Sequence, residues 1–550
     1  MNRWRHYTLV CAFMVMMVGL IGRVVYLSTS EHKFLQAQGD ARSIRNEVIP
    51  SYRGVVYDRS GQALAVSTPV IAVWADPKTV TLDTDQTRNL ALALGRSVPD
   101  VTKSLGQSNR FVYLKRGLTV EEGKRVGDLH LPGIYQQPEY RRYYPASETA
   151  SHVVGVTSVD DVGLEGIELS FNTVLKGQRG EKVVLRDRLG NTIADLEYKQ
   201  APQIGRDLVL SLDLRLQFFA YRELKAAVQG HQAVSGSLVM VDVLTGEILA
   251  LVNQPSYNPN ENVSGGFKGM RNRAVTDTYE PGSTIKPFAV LAALESGKFN
   301  AQSTIDTSPG YFRVGNKLIG DPSNLGVVSL TQILQKSSQV GIAKIALELE
   351  EKSIYDVLVR AGIGEFIGTG LPGEAMGTLS DNGLRSPIMR ATLAYGYGLT
   401  ASPLHLAQAY LSLATDGVRV PLSILKQKSP PQGERVFDAG LVKEVVHMME
   451  SVTQGQGTAV KAQLSGYRIA GKTGTSRIVG TTGYDDQRHV AIFAGIAPAS
   501  APRIVMVVVV NEPKGERVGG GTVAAPVFAR VAARALRLLG VDQDRDPGAA

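Results

Sequence analysis

Ser283 and Lys286 stand three positions apart in "YEPGSTIKPFAVLAAL" (279 to 294), just after a Pro-Gly pair and ahead of an apolar run of helical length. Positions three apart share one face of a helix, so Lys286 can reach the Ser283 hydroxyl. A serine at a helix start also meets free backbone N–H groups and the positive end of the dipole, which favour a developing oxyanion. The pair therefore suits a nucleophile beside its base. An amine takes a serine proton only if its pKa falls from about 10.4, and a nearby second cation has that effect. Lys472, in "AGKTGTS" (470 to 476), can supply it. Between the two, "QKSSQVG" (335 to 341) offers Lys336, the Ser337 and Ser338 hydroxyls and the Gln339 amide. The S-x-x-K spacing also occurs at Ser30/Lys33 and Ser423/Lys426, so it is not specific by itself. Only the middle copy opens a helix.

Other chemistries fit less well. "GYRIAGKT" (466 to 473) matches the phosphate-binding pattern G-x-x-x-x-G-K-[ST]. That loop must follow a strand and open a helix, and the glycine-rich stretch after it has no helical periodicity. Eight histidines without H-E-x-x-H spacing, and a single cysteine, Cys11, argue against a metal centre and exclude an intramolecular disulfide. Asp485, Asp486 and His489 could form a triad-like set, but a turn before the strand "HVAIFAG" accounts for them with less. The net charge of +8 is dispersed, without basic-aromatic clusters, which argues against nucleic acid.

The elements that must hold these residues are spread over 550 positions, enough for two to four domains. After Arg3 and Arg5, the run from Tyr7 to Leu27 carries one charge, Arg23, and at about 1.5 Å per residue spans a bilayer core. No Ala-x-Ala site follows, so the expectation is an uncleaved anchor at 7–29, a cytoplasmic tail at 1–6 and the remainder outside the cytoplasm. Residues 30–205 read as a β-rich, non-catalytic pedestal. Asp58–Gly61 and the Arg-Leu-Gly-Asn stretch at 188–191 read as hairpin turns. Residues 206–540 read as an α+β domain in which strands from both ends form one antiparallel sheet against helices, among them a single helix over "LTQILQKSSQVGIAKIALELE" (330 to 350). Residues 541–550 read as a disordered tail.

The order S-x-x-K, S-x-amide, K-T-G resembles the penicillin-binding protein and serine β-lactamase superfamily. "RGVVYDRSGQALA" (53 to 65), "RRYYP" (141 to 145), "GLEGIE" (163 to 168), "MVDVLTGEILAL" (240 to 251) and "YGYGLTASPLHLAQAY" (395 to 410) are similar to the class B penicillin-binding proteins, and "WADPK" (74 to 78) to their septal, cell-division type. The resemblance implies a peptidoglycan D,D-transpeptidase of the bacterial inner membrane with its catalytic domain in the periplasm. In that scheme Ser283 attacks the penultimate D-alanine carbonyl, Lys286 is the base, and Ser337 with Lys472 carries the proton to the leaving nitrogen. Ser283 and Thr475 N–H groups form the oxyanion hole, and Thr473, Gly474 and Thr475 with Lys472 line the carboxylate site. β-Lactams acylate the same serine. No cofactor is implied, and the expected partners are stem peptides, a SEDS-family glycan polymerase and divisome proteins.

One position departs from the pattern. The family usually has Asn where this chain has Gln339, which moves the amide by about 1.5 Å or demands a bent rotamer. Rival expectations are an elongation-type class B enzyme, a β-lactamase or D,D-carboxypeptidase, and a non-enzymatic penicillin-binding sensor or scaffold.

Overall fold

The apolar run from Tyr7 to Leu27 lies within one helix, α1 (Arg3–Thr29), exposed along nearly all its length and long and apolar enough to cross a membrane. It opens the computed structural model of the chain, which describes residues 3–107, 111–187, 192–261, 269–480 and 483–545. The chain divides into two compact units. One comprises Met1–Arg53, Pro69–Tyr140 and Lys176–Gly205, and the other Gly54–Thr68, Arg141–Leu175 and Arg206–Ala550.

In the first unit α1 is followed by α2 (His32–Ser43) and by β1 (Ile44–Ile49). β1 pairs antiparallel with β5 (Gly180–Arg186), which pairs in turn with β6 (Thr192–Gln200). The expected turn at 188–191 lies outside the described residues. A second sheet joins the end of β2 (Ala63–Ala75) to β3 (Val112–Leu118), with β4 (Ile134–Tyr143) beside β2. Three helices accompany it: α3 (Thr84–Leu94), α4 (Val98–Leu105) and α5 (Val120–Gly127). A purely β reading of this region overlooked them, although their caps are visible in the sequence. Asp83 with Gln86, and Thr119 with Glu122, form reciprocal capping boxes. Their apolar faces close a small core of Val73, Leu90, Leu94, Leu114, Leu118 and Val126.

The second unit is built on a five-stranded antiparallel sheet. Its strands are β7 (Ser235–Asp242), β8 (Ile248–Gln254), β9 (Ala470–Gly480), β10 (Gly483–Ala497) and β11 (Ile504–Asn511), in the order β8-β7-β11-β10-β9. Every residue of β7 and β8 is buried. Both faces of the sheet are therefore covered, which is why these strands read as continuous apolar runs rather than alternating ones. α6 (Leu214–Gly230) packs on β7 and β8, and α12 (Ala525–Leu538) on β10 and β11. α10 (Pro403–Ala414), buried at all twelve positions, packs on β7, β10 and β11. α7 (Lys286–Glu295) and α11 (Ala439–Glu450) pack together in the helical layer. The Asp58–Gly61 turn forms as expected, with Asp58 Oδ1 accepting the Ser60 and Gln62 N–H groups.

Two expectations are corrected here. The segment 330–350 is two helices, α8 (Leu330–Lys336) and α9 (Gln339–Glu348), because Ser337 takes a left-handed conformation (φ 59°) and Ser338 caps α9 through the Gly341 N–H. The tail expected to be disordered from 541 is held as far as Arg545. Tyr467 Oη donates to the Val541 carbonyl at 2.8 Å, Asp544 Oδ1 accepts the Arg468 N–H at 2.7 Å, and the Gly466 carbonyl accepts the Arg545 N–H. Residues 546–550 lie outside the described residues.

Candidate active site

Ser283 sits in a 3₁₀ turn, Gly282–Ile285, directly ahead of α7. Pro287 occupies the first turn of that helix, where its missing N–H costs nothing. The turn is held by hydrogen bonds to backbone carbonyls. Gly282 donates to the Gly396 carbonyl at 3.1 Å, Thr284 Oγ1 donates to the Pro281 carbonyl at 2.8 Å, and Tyr410 Oη on α10 donates to the Thr284 carbonyl at 2.8 Å. β9, an edge strand, lies against it so closely that a Cβ at Gly474 would stand 2.7 Å from the Pro281 oxygen. The glycine of the K-T-G stretch is thus dictated by strand-to-turn approach.

Lys286, the first residue of α7, and Lys472 on β9 are both 0% exposed. Their amines converge on one side chain. Lys286 Nζ donates to the Ser337 carbonyl at 2.5 Å and to Ser337 Oγ at 3.2 Å, and Lys472 Nζ donates to the same Oγ at 3.0 Å. Ser337 can present both oxygens because the chain turns left-handed there between α8 and α9. Burial drives the Lys286 pKa down to about 7, while the nearby Asp321 carboxylate opposes the shift. Burial and the charge of Lys286 push the Lys472 amine well below its ordinary range. The site thus holds an amine that can be neutral near pH 7, hydrogen-bonded to a hydroxyl able to carry a proton.

The rest of β9 faces the same place. Thr473 Oγ1 lies 2.9 Å from Thr458 Oγ1 and 3.4 Å from Lys472 Nζ. Thr475 is exposed, and its Oγ1 accepts the Gly520 N–H at 3.2 Å. Gln339 is the first residue of α9; among the described residues its side-chain amide makes no hydrogen bond, while its N–H donates to Asp321 Oδ1 at 2.5 Å. Ser283, Lys286, Ser337, Gln339, Lys472, Thr473, Gly474 and Thr475 therefore belong to one region. Asp321, Thr458, Gly396 and Gly520 were missed: the first three are single loop residues, Gly520 opens a short helix (Gly520–Val523), and the place of each depends on a partner far away in the sequence.

The other stretches do not join it. "GYRIAGKT" runs into strand β9 rather than a helix, so the phosphate-loop reading fails. Asp486 pairs with Arg477 at 2.8 Å and Asp485 Oδ1 accepts the Gln487 N–H, while among the described residues His489 Nδ1 has no hydrogen-bond partner, so these three make no triad there.

Comparison with known proteins agrees over the whole length. The family model for the penicillin-binding protein transpeptidase domain matches residues 236–533, and that for the penicillin-binding protein dimerisation domain matches residues 48–210. The chain is 43% identical over 549 residues to the peptidoglycan D,D-transpeptidase FtsI of Escherichia coli, covering 98% of this chain and 93% of that one. It is 39% identical over 547 residues to the probable peptidoglycan D,D-transpeptidase PbpC of Pseudomonas aeruginosa, covering 99% and 96%. Among solved structures, penicillin-binding protein 3 from Mycobacterium tuberculosis complexed with aztreonam is similar at 26% identity and a TM-score of 0.71, covering 91% of this chain and 98% of that one.

Proposed function

The chain belongs to the penicillin-binding protein transpeptidase family, and from that premise we propose that it cross-links peptidoglycan stem peptides during septal wall synthesis through an acyl-enzyme on Ser283. The observation that carries this reading is the single hydroxyl of Ser337 between two fully buried lysines, next to the turn that presents Ser283.

Lys286, neutral, takes the Ser283 proton as the oxygen attacks the penultimate D-alanine carbonyl. The tetrahedral oxyanion lies between the backbone N–H groups of Ser283 and Thr475. Collapse breaks the amide bond, and Ser337, hydrogen-bonded to both lysines, passes a proton to the leaving nitrogen of the terminal D-alanine. An amine of a neighbouring stem then attacks the ester, and the same relay runs in reverse. Lys472, Thr473 and Thr475 hold the terminal carboxylate of the donor. A β-lactam enters as a mimic of this donor and acylates Ser283. Gln339, at the start of α9, orients the substrate's side-chain carbonyl.

The protein is a membrane-anchored serine acyltransferase, with α1 as the apolar segment. α1 crosses the inner membrane once with residues 1–6 in the cytoplasm, and the pedestal (30–205) and transpeptidase domain (206–540) lie in the periplasm. There the anchor and pedestal meet a SEDS-family polymerase and divisome proteins.

The test is product analysis with a pentapeptide donor and a D-amino acid acceptor. The expected products are free D-alanine and a donor–acceptor amide, both lost in Lys286→Ala. Release of D-alanine with only the hydrolysed tetrapeptide as co-product would make the protein a carboxypeptidase, and no release would overturn the enzymatic reading.

A further inference from the structure

Asp321 lies in the connection between two short strands, Lys317–Gly320 and Val327–Ser329, in a stretch with no catalytic signature. Its backbone is fixed by its own N–H donating to the Gly310 carbonyl at 2.9 Å. Its carboxylate faces the start of α9. Oδ1 accepts the N–H groups of Gln339 at 2.5 Å and Val340 at 3.2 Å, and Oδ2 accepts the Ser338 hydroxyl at 2.5 Å. Ser338 Oγ in turn accepts the Gly341 N–H at 2.9 Å. One carboxylate thus satisfies three donors at a helix start, where negative charge is favoured. Two positions ahead of that helix stands Ser337, whose left-handed φ of 59° costs about 1 to 2 kcal/mol for a side chain with a Cβ and needs support from its surroundings.

We propose that Asp321 is a positioning residue for acylation: it clamps the start of α9 so that Ser337 keeps its hydroxyl between Lys286 and Lys472, and it supplies the counter-charge to buried Lys286. Asp321 acts electrostatically on Lys286, and Lys286 in turn acts on Lys472 of β9. Lys336, the last residue of α8, is turned to Gln456, with Nζ 2.7 Å from Oε1. The Asp321 charge opposes the effect of burial on Lys286. Removing that charge should make the amine lose its proton at lower pH. The inference rests on the acyl-enzyme reading above and adds to it a residue that touches neither the nucleophile nor the substrate.

The experiment is the pH dependence of penicillin acylation by the full chain and its Asp321→Asn and Asp321→Glu variants. For Asp321→Asn the maximal rate should fall about tenfold, and the acid limb should move down by about one pH unit, so that the variant-to-wild-type ratio rises about fivefold from pH 8 to pH 6. Asp321→Glu, which keeps the charge, should leave the limb in place even where its maximal rate is lower. A limb unmoved in Asp321→Asn, or moved equally in both variants, overturns the proposal while leaving the acyl-enzyme reading intact. A wild-type protein that takes up no penicillin overturns both. Should Asp321→Asn fail to fold, Ser338→Ala tests the clamp with the charge intact: its rate should fall with no change in the limb, and an unchanged rate overturns the clamp.

Discussion

Lys286 Nζ and Lys472 Nζ approach one oxygen, Ser337 Oγ, from two elements far apart in sequence, at 3.2 and 3.0 Å. Burial takes both amines out of water and lowers both pKa values, and the charge of Lys286 lowers that of Lys472 further. In the proposed reaction, the shared Ser337 hydroxyl is the relay that passes a proton to the leaving group.

The first consequence concerns pH. With the Lys286 pKa lowered to about 7 by burial, the base is neutral above that pH and protonated below it. Acylation by a penicillin should therefore rise about tenfold per unit up to pH 7 and level off above it. Stopped-flow rates between pH 5 and pH 9 check this, and a flat profile would remove Lys286 as the base.

Ser337→Gly separates function from stability. Glycine accepts the left-handed backbone at φ 59° without strain, so the variant should melt at an equal or higher temperature. Without the hydroxyl, acylation should fall about 10² to 10⁴-fold. A variant that acylates at the wild-type rate would show that the lysines need no relay.

The sheet, its helices and most of the site were legible in the sequence for a physical reason. A buried strand such as β11 is a continuous apolar run from Ile504 to Val510, and S-x-x-K and K-T-G are local signals that need no partner to be recognised. The break between α8 and α9 was not legible, because Leu330–Glu348 keeps helical periodicity throughout. What ends α8 is the tertiary placement of Ser337, held by two lysines from elsewhere. Asp321 was invisible for the same reason, since its function depends on α9 reaching it. In the first unit the helices α3 and α5 were announced by capping boxes but masked by the strand-like residues around them.

Gly474→Ala tests the strand-to-turn approach. The added methyl would stand 2.7 Å from the Pro281 oxygen, and backbone cannot yield as a flexible side chain does. The expected cost is about 1 to 3 kcal/mol in stability, with loss of acylation because the Ser283 turn moves away from β9. Full acylation with unchanged melting would mean that the turn is not set by this contact.

Gln339→Asn tests the one departure from the family pattern. If the amide orients the substrate's side-chain carbonyl, the extra methylene strains or loses one hydrogen bond of about 1 to 2 kcal/mol, and the Asn variant should acylate about five- to thirty-fold faster. Rates with two β-lactams of different side chain decide it. A slower Asn variant with both would make Gln339 a residue to which this site is adapted.

The most direct test of the account is the mass of the full-length protein after exposure to a penicillin, with the adduct located by peptide mapping. The account predicts one penicilloyl group, long-lived, on the peptide that carries Ser283, and none on Ser283→Ala. An adduct that persists in Ser283→Ala on another residue, or penicillin consumed without a lasting adduct, would contradict it.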